Sequence, residues 1–345
     1  YRPDLTRAAD LIEELARLAD FDTFDATVPT GPAGGLTPEQ ARARRVHDVL
    51  RGLGLYQAMN LPFVSPEELA AFGRTSDGVA VDVVTVKNPL RDDQAKLRQS
   101  LLPALLRNLR DNRNRGAETV GVFETGRVFF ARPWADDPRV PEQPVRLAAA
   151  VVGPYGPQRL DAGAAPADAT TALAIVKAVA DAVGLNITRR SAQPAGFHPT
   201  RSAELAVGDS VIGAAGELHP DVADMFDLTG RVAVVELDLA PLIADRAPAQ
   251  MQPVSTFPHV DFDLSFQIEP DAHAAVLVAE TRGVSELVER ATVFDDYRDR
   301  DLRAVAIRYR LRATDRTLTT EEIADVRGGM IERARALGAT LRGGE

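Results

Sequence analysis

The 345-residue chain contains no cysteine, one tryptophan and only three lysines, and aromatic residues make up just 6% of it. Without cysteine there is no disulfide framework, no Cys-ligated zinc, no iron–sulfur cluster and no thiol nucleophile. Long hydrophobic runs are also missing. No stretch of about 18 apolar residues is free of charge, so a transmembrane helix and a membrane role are excluded. No Gly-rich loop has the spacing of a mononucleotide or dinucleotide phosphate cradle. The five histidines form no local pattern of a nucleophilic triad. His198-Pro199 and His219-Pro220 read as turn elements. No secretory signal precedes the first helix, and the chain, which opens on Tyr1, is expected to start inside a longer polypeptide.

What remains is ordinary for a globular protein: 45% hydrophobic, 26% charged, and long enough for about two domains. Fifty acidic residues outweigh forty basic ones, which argues against a general polyanion binder, DNA included. The basic charge is nearly all arginine, the lysines being Lys87, Lys96 and Lys177. Segment 87–132 reverses the balance, with ten Lys/Arg against five Asp/Glu. Forked guanidinium groups suit phosphate. Codon usage in a GC-rich genome is the preferred account of the ratio itself.

Hydrophobic spacing predicts a helix over 5–18, with Leu11, Leu15 and Leu18 on one stripe. Thr37-Pro38 predicts an N-cap and first turn for a helix ending at 52–54. Strands are expected at 56–64, 79–86, 145–152, near 187, and at 203–207, 211–215 and 232–239, with one long strand or a strand pair around Gly126 at 120–130 and helices at 100–110 and 167–183. Short Gly-containing turns such as Val207-Gly208-Asp209 favour an antiparallel sheet over a doubly wound one. Two prolines, Pro248 within the segment and Pro253 just after it, mark 246–252 as a linker. Beyond it, strands at 263–268, 291–297, 304–311 and 339–341 and helices at 272–283 and 320–337 give a βαββαβ order, the ferredoxin-like arrangement. The predicted class is α+β.

Two clusters could carry chemistry. Asp10, Glu13 and Glu14 share a helix face, and Asp4 can fold back toward it. Grouped hard oxygens suit Mg2+; a solvated acidic face that complements the helix dipole is the competing reading. In 304–312, Val305, Ile307, Tyr309 and Leu311 alternate with Arg308, Arg310 and Arg312. The apolar set should pack on helices, and the three guanidiniums should lie on an open sheet face, to meet RNA or simply water. Alternation leaves Tyr297 facing either the core or that face.

Several blocks carry a family resemblance. Residues 1–18, the run from Asn88-Pro89-Leu90 through 97–106 to 112–116, Phe123-Glu124-Thr125-Gly126-Arg127-Val128-Phe129, 198–203, 216–220, 315–319 and the terminal Leu341-Arg342-Gly343 follow one pattern in order. Together they resemble the C-terminal part of the beta subunit of bacterial phenylalanine–tRNA ligase, a class II aminoacyl-tRNA synthetase. The resemblance implies the end of a small helical domain at 1–25, a non-catalytic class II synthetase-like antiparallel module at 36–245, and a ferredoxin-like anticodon-binding domain at 253–345. It implies a partner alpha subunit in an alpha2beta2 complex, tRNA(Phe) as ligand, ATP used by the complex, and Mg2+ shared with alpha at Asp4, Asp10, Glu13 and Glu14. With an anticodon-binding domain implied, the alternating row Arg308, Arg310 and Arg312 is where the RNA contact is expected, joined by Tyr297 if it faces the open side rather than the core.

Two departures from the pattern stand out. Phe130 occupies the place where a catalytic domain would carry an arginine for the ATP α-phosphate, and no Gly-rich, Arg-ending third motif follows. Catalysis is therefore expected in alpha, and no residue of this chain is expected to be catalytic. In the last domain, Asp261-Phe262-Asp263 replaces an Arg-Arg-Asp, and the hairpin is cut to residues 298–303. Residues 253–345 hold 13 Arg and 17 Asp/Glu, so any RNA contact must be local. Without the resemblance, the residues read as a free-standing RNA-binding adaptor with a degenerate synthetase-like domain. A Mg2+-dependent phosphoryl-transfer enzyme lacks any nucleophile, base or phosphate loop.

Overall fold

The computed structural model describes residues 2–31, 34–72, 75–76, 79–91, 94–156, 163–246, 251, 254–299 and 302–343. The chain divides into two compact units, residues 1–248 and 249–345. Except for Arg246 and Met251, the expected linker lies outside the described residues.

The first unit opens on α1 (Ala8–Ala19), none of whose residues is buried. Leu11, Ile12, Leu15 and Leu18, its apolar stripe, are exposed. Helix α2 (Pro38–Gly52) starts as expected: the Thr37 side chain accepts from Gln40 N, the Gln40 side chain accepts from Thr37 N, and Pro38 occupies the first turn. After β1 (Tyr56–Gln57) come α3 (Leu102–Asn114), β2 (Val120–Arg127), β3 (Val145–Val152), α4 (Ala169–Val183), β4 (Thr188–Arg190), β5 (Phe197–Val207), β6 (Ser210–Leu218), α5 (Pro220–Met225), β7 (Val232–Asp238) and α6 (Leu239–Ile243). The strands form one sheet in the order β1-β2-β3-β7-β6-β5-β4. Only the β1–β2 pair is parallel.

Both faces of this sheet are covered. On one, Leu102, Leu105, Leu106 and Leu109 of α3 are fully buried against Val122, Ala150 and Val234. On the other, Val46, Leu50, Ile175, Val179 and Leu242 cover Phe123, Ala149 and Val235. Each buried leucine contributes about 1.5–3 kcal/mol, so the leucine spacing in α3 is what anchors that layer. Gly153 (φ +90°) turns the chain out of β3 where a Cβ would sit 2.0 Å from the Glu118 carbonyl oxygen.

Three expectations are corrected. The strand expected at 56–64 is two short pieces, β1 and Phe63–Val64, in different sheets. Pro62 between them has no N–H, and its carbonyl accepts from Arg98 N at 2.9 Å. The strand expected at 79–86 stops after Ala80, because Asp82 takes φ +55° and its carbonyl and that of Val81 accept from the Gln99 side chain. His198-Pro199 is not a turn but lies within β5, where a register shift between Phe197 and Ser202 accommodates the proline. His219, by contrast, does sit at a turn, capping α5 with Pro220 in its first turn.

The second unit runs β8 (Val260–Ile268), α7 (Ala274–Arg282), β9 (Val288–Asp299), β10 (Leu302–Leu311), α8 (Thr320–Ala336) and β11 (Thr340–Leu341). Its sheet is fully antiparallel in the order β9-β10-β8-β11. This is the ferredoxin-like βαββαβ fold, and the chain as a whole is α+β with antiparallel sheets, as expected. Val305, Ile307, Tyr309 and Leu311 pack with Leu264, Phe266, Leu277, Val326 and Met330, leaving the opposite sheet face open. Among the described residues no helix is long and apolar enough to cross a membrane.

Candidate nucleic-acid interface

The open face of the second unit is built by the residues that alternate with that core. Asp263 stands opposite Arg308 and Asp261 opposite Arg310. Each pair is bidentate: Arg308 Nε and Nη2 donate to Asp263 at 2.8 Å each, and Arg310 Nε and Nη2 donate to Asp261 at 2.8 Å each. The hydrogen bonds to these guanidiniums hold both carboxyls below the usual carboxylate range. Arg312 is half-buried. Its Nη1 donates to Ser255 O at 3.2 Å, and its Nε lies 2.9 Å from Glu289 Oε2 as a charge contact without hydrogen-bond alignment. The three arginines thus face as expected, but each already has an acidic neighbour.

Two aromatic rings lie on the same face. The β9–β10 register slips between Val293↔Ile307 and Asp295↔Ala306, so Phe294 is the extra residue of a bulge. It lies beneath Arg308, whose Cζ is 5.1 Å from the ring centroid. Tyr297 stands opposite Ala304, hence on the open face, and Arg342 Cζ lies 5.8 Å from its ring centroid. Both rings are about half exposed. Ala304, Ala306 and Ser265 form a low floor beside them. Flat rings backed by guanidiniums can stack nucleobases. Strict alternation could not find Phe294, because the bulge breaks the period. Arg342 was visible only as part of the terminal Leu-Arg-Gly block. At the hairpin, Asp296 accepts two bonds from Arg303 and one from Arg298, which pulls its carboxyl down to about 2. Residues 300–301 of that hairpin lie outside the described residues.

Three of the N-terminal carboxylates are engaged by arginines, Asp4 and Glu14 sharing Arg2 and Asp10 bound to Arg7. Asp4 accepts from Arg2 Nη2 at 2.8 Å, and Glu14 accepts from Arg2 Nη2 at 2.7 Å and Arg17 Nη2 at 2.6 Å. Asp10 caps α1, accepting from Arg7 N at 2.7 Å and Thr6 N at 3.0 Å, with Arg7 Nη2 at 2.8 Å. Glu13 is exposed. Among the described residues no three His, Cys, Asp or Glu side chains group closely enough to hold a metal ion. As disposed in this chain, the four carboxylates do not fit a metal ion.

In the first unit, the described polar residues of the sheet bond mainly to one another. Glu124, Ala148, Glu236, Ala214 and Glu204 stand side by side in one cross-strand row. Glu124 is buried with Arg98 Nη1 at 2.8 Å and Asn60 Nδ2 at 2.7 Å. Glu236 accepts from Ser100 Oγ, Leu101 N and Arg146 Nη1. Phe130 is buried, with Arg132 and Arg146 stacked 5.2 and 5.8 Å from its ring. Two of the row's glutamates and these arginines are satisfied internally, and the ring between the arginines offers nothing to a phosphate.

Residues 25–239 match the family described as phenylalanyl tRNA synthetase beta chain CLM domain, and residues 255–342 match the ferredoxin-fold anticodon binding domain. The chain belongs to the phenylalanyl-tRNA synthetase beta-chain family. It is 34% identical over 99% of its length to the phenylalanine–tRNA ligase beta subunit of Cutibacterium acnes, 35% to that of Streptomyces avermitilis and 36% to that of Nocardia farcinica. It spans 44–45% of the length of each of these relatives.

Proposed function

We propose that this chain acts as the C-terminal part of a non-catalytic phenylalanine–tRNA ligase beta subunit. Residues 36–245 form its synthetase-like module and support the alpha subunit; residues 253–345 bind the anticodon region of tRNA(Phe). Residues 1–25 close a small helical domain, and 246–252 link the two larger parts. Alpha joins phenylalanine to tRNA with ATP, in an alpha2beta2 complex in the cytoplasm. The single observation that carries the RNA part of this reading is the open sheet face on which Phe294 and Tyr297 lie against Arg308 and Arg342.

Bases from a single-stranded loop would lie on the two rings, and the guanidiniums would extend the stack. The Mg2+ that the family resemblance gives to Asp4, Asp10, Glu13 and Glu14 belongs in this reading to the assembled complex. A partner surface would first have to draw Arg2, Arg7 and Arg17 away from Asp4, Glu14 and Asp10.

Co-expression with the alpha subunit tests the reading. The two should co-purify, and the pair should charge tRNA(Phe) when completed by the remainder of the beta subunit. A chain that stays monodisperse, ignores alpha and still binds RNA would instead be an adaptor.

A further inference from the structure

The open face of the second unit has two halves of different character. At one end, Phe294, Tyr297 and Arg342 are accessible, over a floor of small residues. At the other, each arginine meets a carboxylate. Arg308 is held by Asp263 and Arg310 by Asp261, both as two parallel hydrogen bonds of 2.8 Å. His259 Nε2 lies 3.9 Å from Asp261 Oδ2, and Arg312 is tied to Glu289, Ser255 and His259. The pairs are fixed by strand register: both aspartates stand directly opposite their arginines on β8 and β10. Bidentate carboxylate–guanidinium pairing uses the same fork that a phosphate would use.

We infer that Asp261 and Asp263 are built-in competitors of RNA phosphate, so that this face selects nucleic acid by base stacking and gains little from the backbone. The inference rests on the RNA-binding reading above. A phosphate that reaches Arg308 must displace Asp263, leaving a carboxylate to be resolvated and to recruit a cation. Contact by contact, the exchange of one anion for another releases almost no net counterion. Salt dependence on this face is therefore shallow, although three arginines lie in a row. Low pH does not open the clamp in the neutral range, since both carboxyls titrate below their ordinary values. Single-stranded RNA with bases available is favoured, and duplex backbone is ignored.

The test is a salt titration of the full chain with an anticodon stem–loop RNA of tRNA(Phe). The wild type is compared with Asp261→Asn/Asp263→Asn. A charge control, Glu286→Gln/Asp325→Asn, alters exposed carboxylates of the same unit by the same net charge. The clamp variant should bind roughly tenfold tighter at low salt and steepen the slope by about 1.4, from two phosphate contacts at about 0.7 each. Adding Arg308→Gln and Arg310→Gln to it should return the slope to the wild-type value. If wild type and clamp variant bind with equal affinity and slope, or if the charge control reproduces the gain, the competitor role is overturned while RNA binding stands. If neither protein binds the RNA, the RNA-binding reading itself falls and the clamp with it. Circular dichroism of each variant separates a lost fold from a lost contact.

Discussion

Arg98 and Glu124 face each other inside the first unit, 2.8 Å from Nη1 to Oε1, with both side chains almost wholly shielded from water. Arg98 Nε also donates to the Arg127 carbonyl, and Glu124 takes a second bond from Asn60. Removing one partner strands the other in a medium that solvates charge poorly. Glu124→Ala should therefore cost about 3–5 kcal/mol. Arg98→Met/Glu124→Gln should cost less than the single change, since no charge is left alone. Trp134, the one tryptophan, lies in this unit, and its fluorescence during denaturant unfolding reports on it. Gly126→Ala probes the same place, because a Cβ there would sit 2.4 Å from Arg98 Nη2. It should lower stability too, by displacing the guanidinium from a site with no room to spare.

The aromatic half of the open face makes a separate prediction. Loss of one base–ring stack costs about 1–3 kcal/mol. Phe294→Ala and Tyr297→Ala should each weaken anticodon stem–loop binding about tenfold, with no change in salt slope. In the complete enzyme they should leave ATP–pyrophosphate exchange intact and lower the efficiency of tRNA charging. Equal loss in both assays would mean a damaged fold rather than a lost RNA contact.

Tyr309 is buried beneath that sheet, with its hydroxyl 2.7 Å from Thr281 Oγ1. Burial pushes the phenol up to about 12 from an ordinary value of 10.0. The sign follows from where the proton is held. Between those values the unfolded chain releases it and the folded chain keeps it, so stability falls as pH rises. Below pH 10 the contribution is fully present. An ultraviolet titration should show one tyrosine ionising late, and Tyr309→Phe should abolish that late step. Flattening of the alkaline stability loss should accompany it.

Much of this architecture was legible in the residues. Strand β3 is all but uninterrupted apolar sequence, and it begins and ends where the pattern places it. Helix α2 carries its own start signal in Thr37-Pro38-Glu39-Gln40. What escaped were places where a local event outweighs periodicity. Asp82 in a left-handed conformation ends a strand that valine content favours, and Pro62 splits another. The bulge at Phe294 shifts one residue to the open face, which no count of alternation can foresee. The basic row on β10 was legible as a row. Its partners were not, since Asp261 and Asp263 lie some 45 residues away and only strand pairing brings them opposite. Likewise the carboxylates of α1 share a face in sequence, but their nearest charges are Arg2, Arg7 and Arg17.

That last arrangement yields a prediction about metal. Arg7 and the backbone amides of Arg7 and Thr6 hold the Asp10 carboxyl below its usual range, and Arg2 and Arg17 do the same for Glu14, with Arg17 the larger influence. A depressed carboxyl contributes its interactions above its ordinary range and loses them as pH falls through the depressed value. Arg2 likewise holds the Asp4 carboxyl low, so at neutral pH all three are ionised and engaged. A Mg2+ ion must compete with guanidiniums already in place, and one helix cannot supply a six-oxygen shell. Calorimetric titration of the isolated chain with Mg2+ should give no saturable binding at millimolar concentrations, and a chelator should leave its unfolding midpoint unchanged. Arg2→Gln/Arg17→Gln frees Asp4 and Glu14 without touching the Asp10 cap. If Mg2+ affinity then appears, the arginines were the obstacle. If the wild-type chain alone binds Mg2+ tightly, the carboxylates form a ligand set that their pairing with arginine does not prevent, and the assignment of the metal to the assembled complex is wrong.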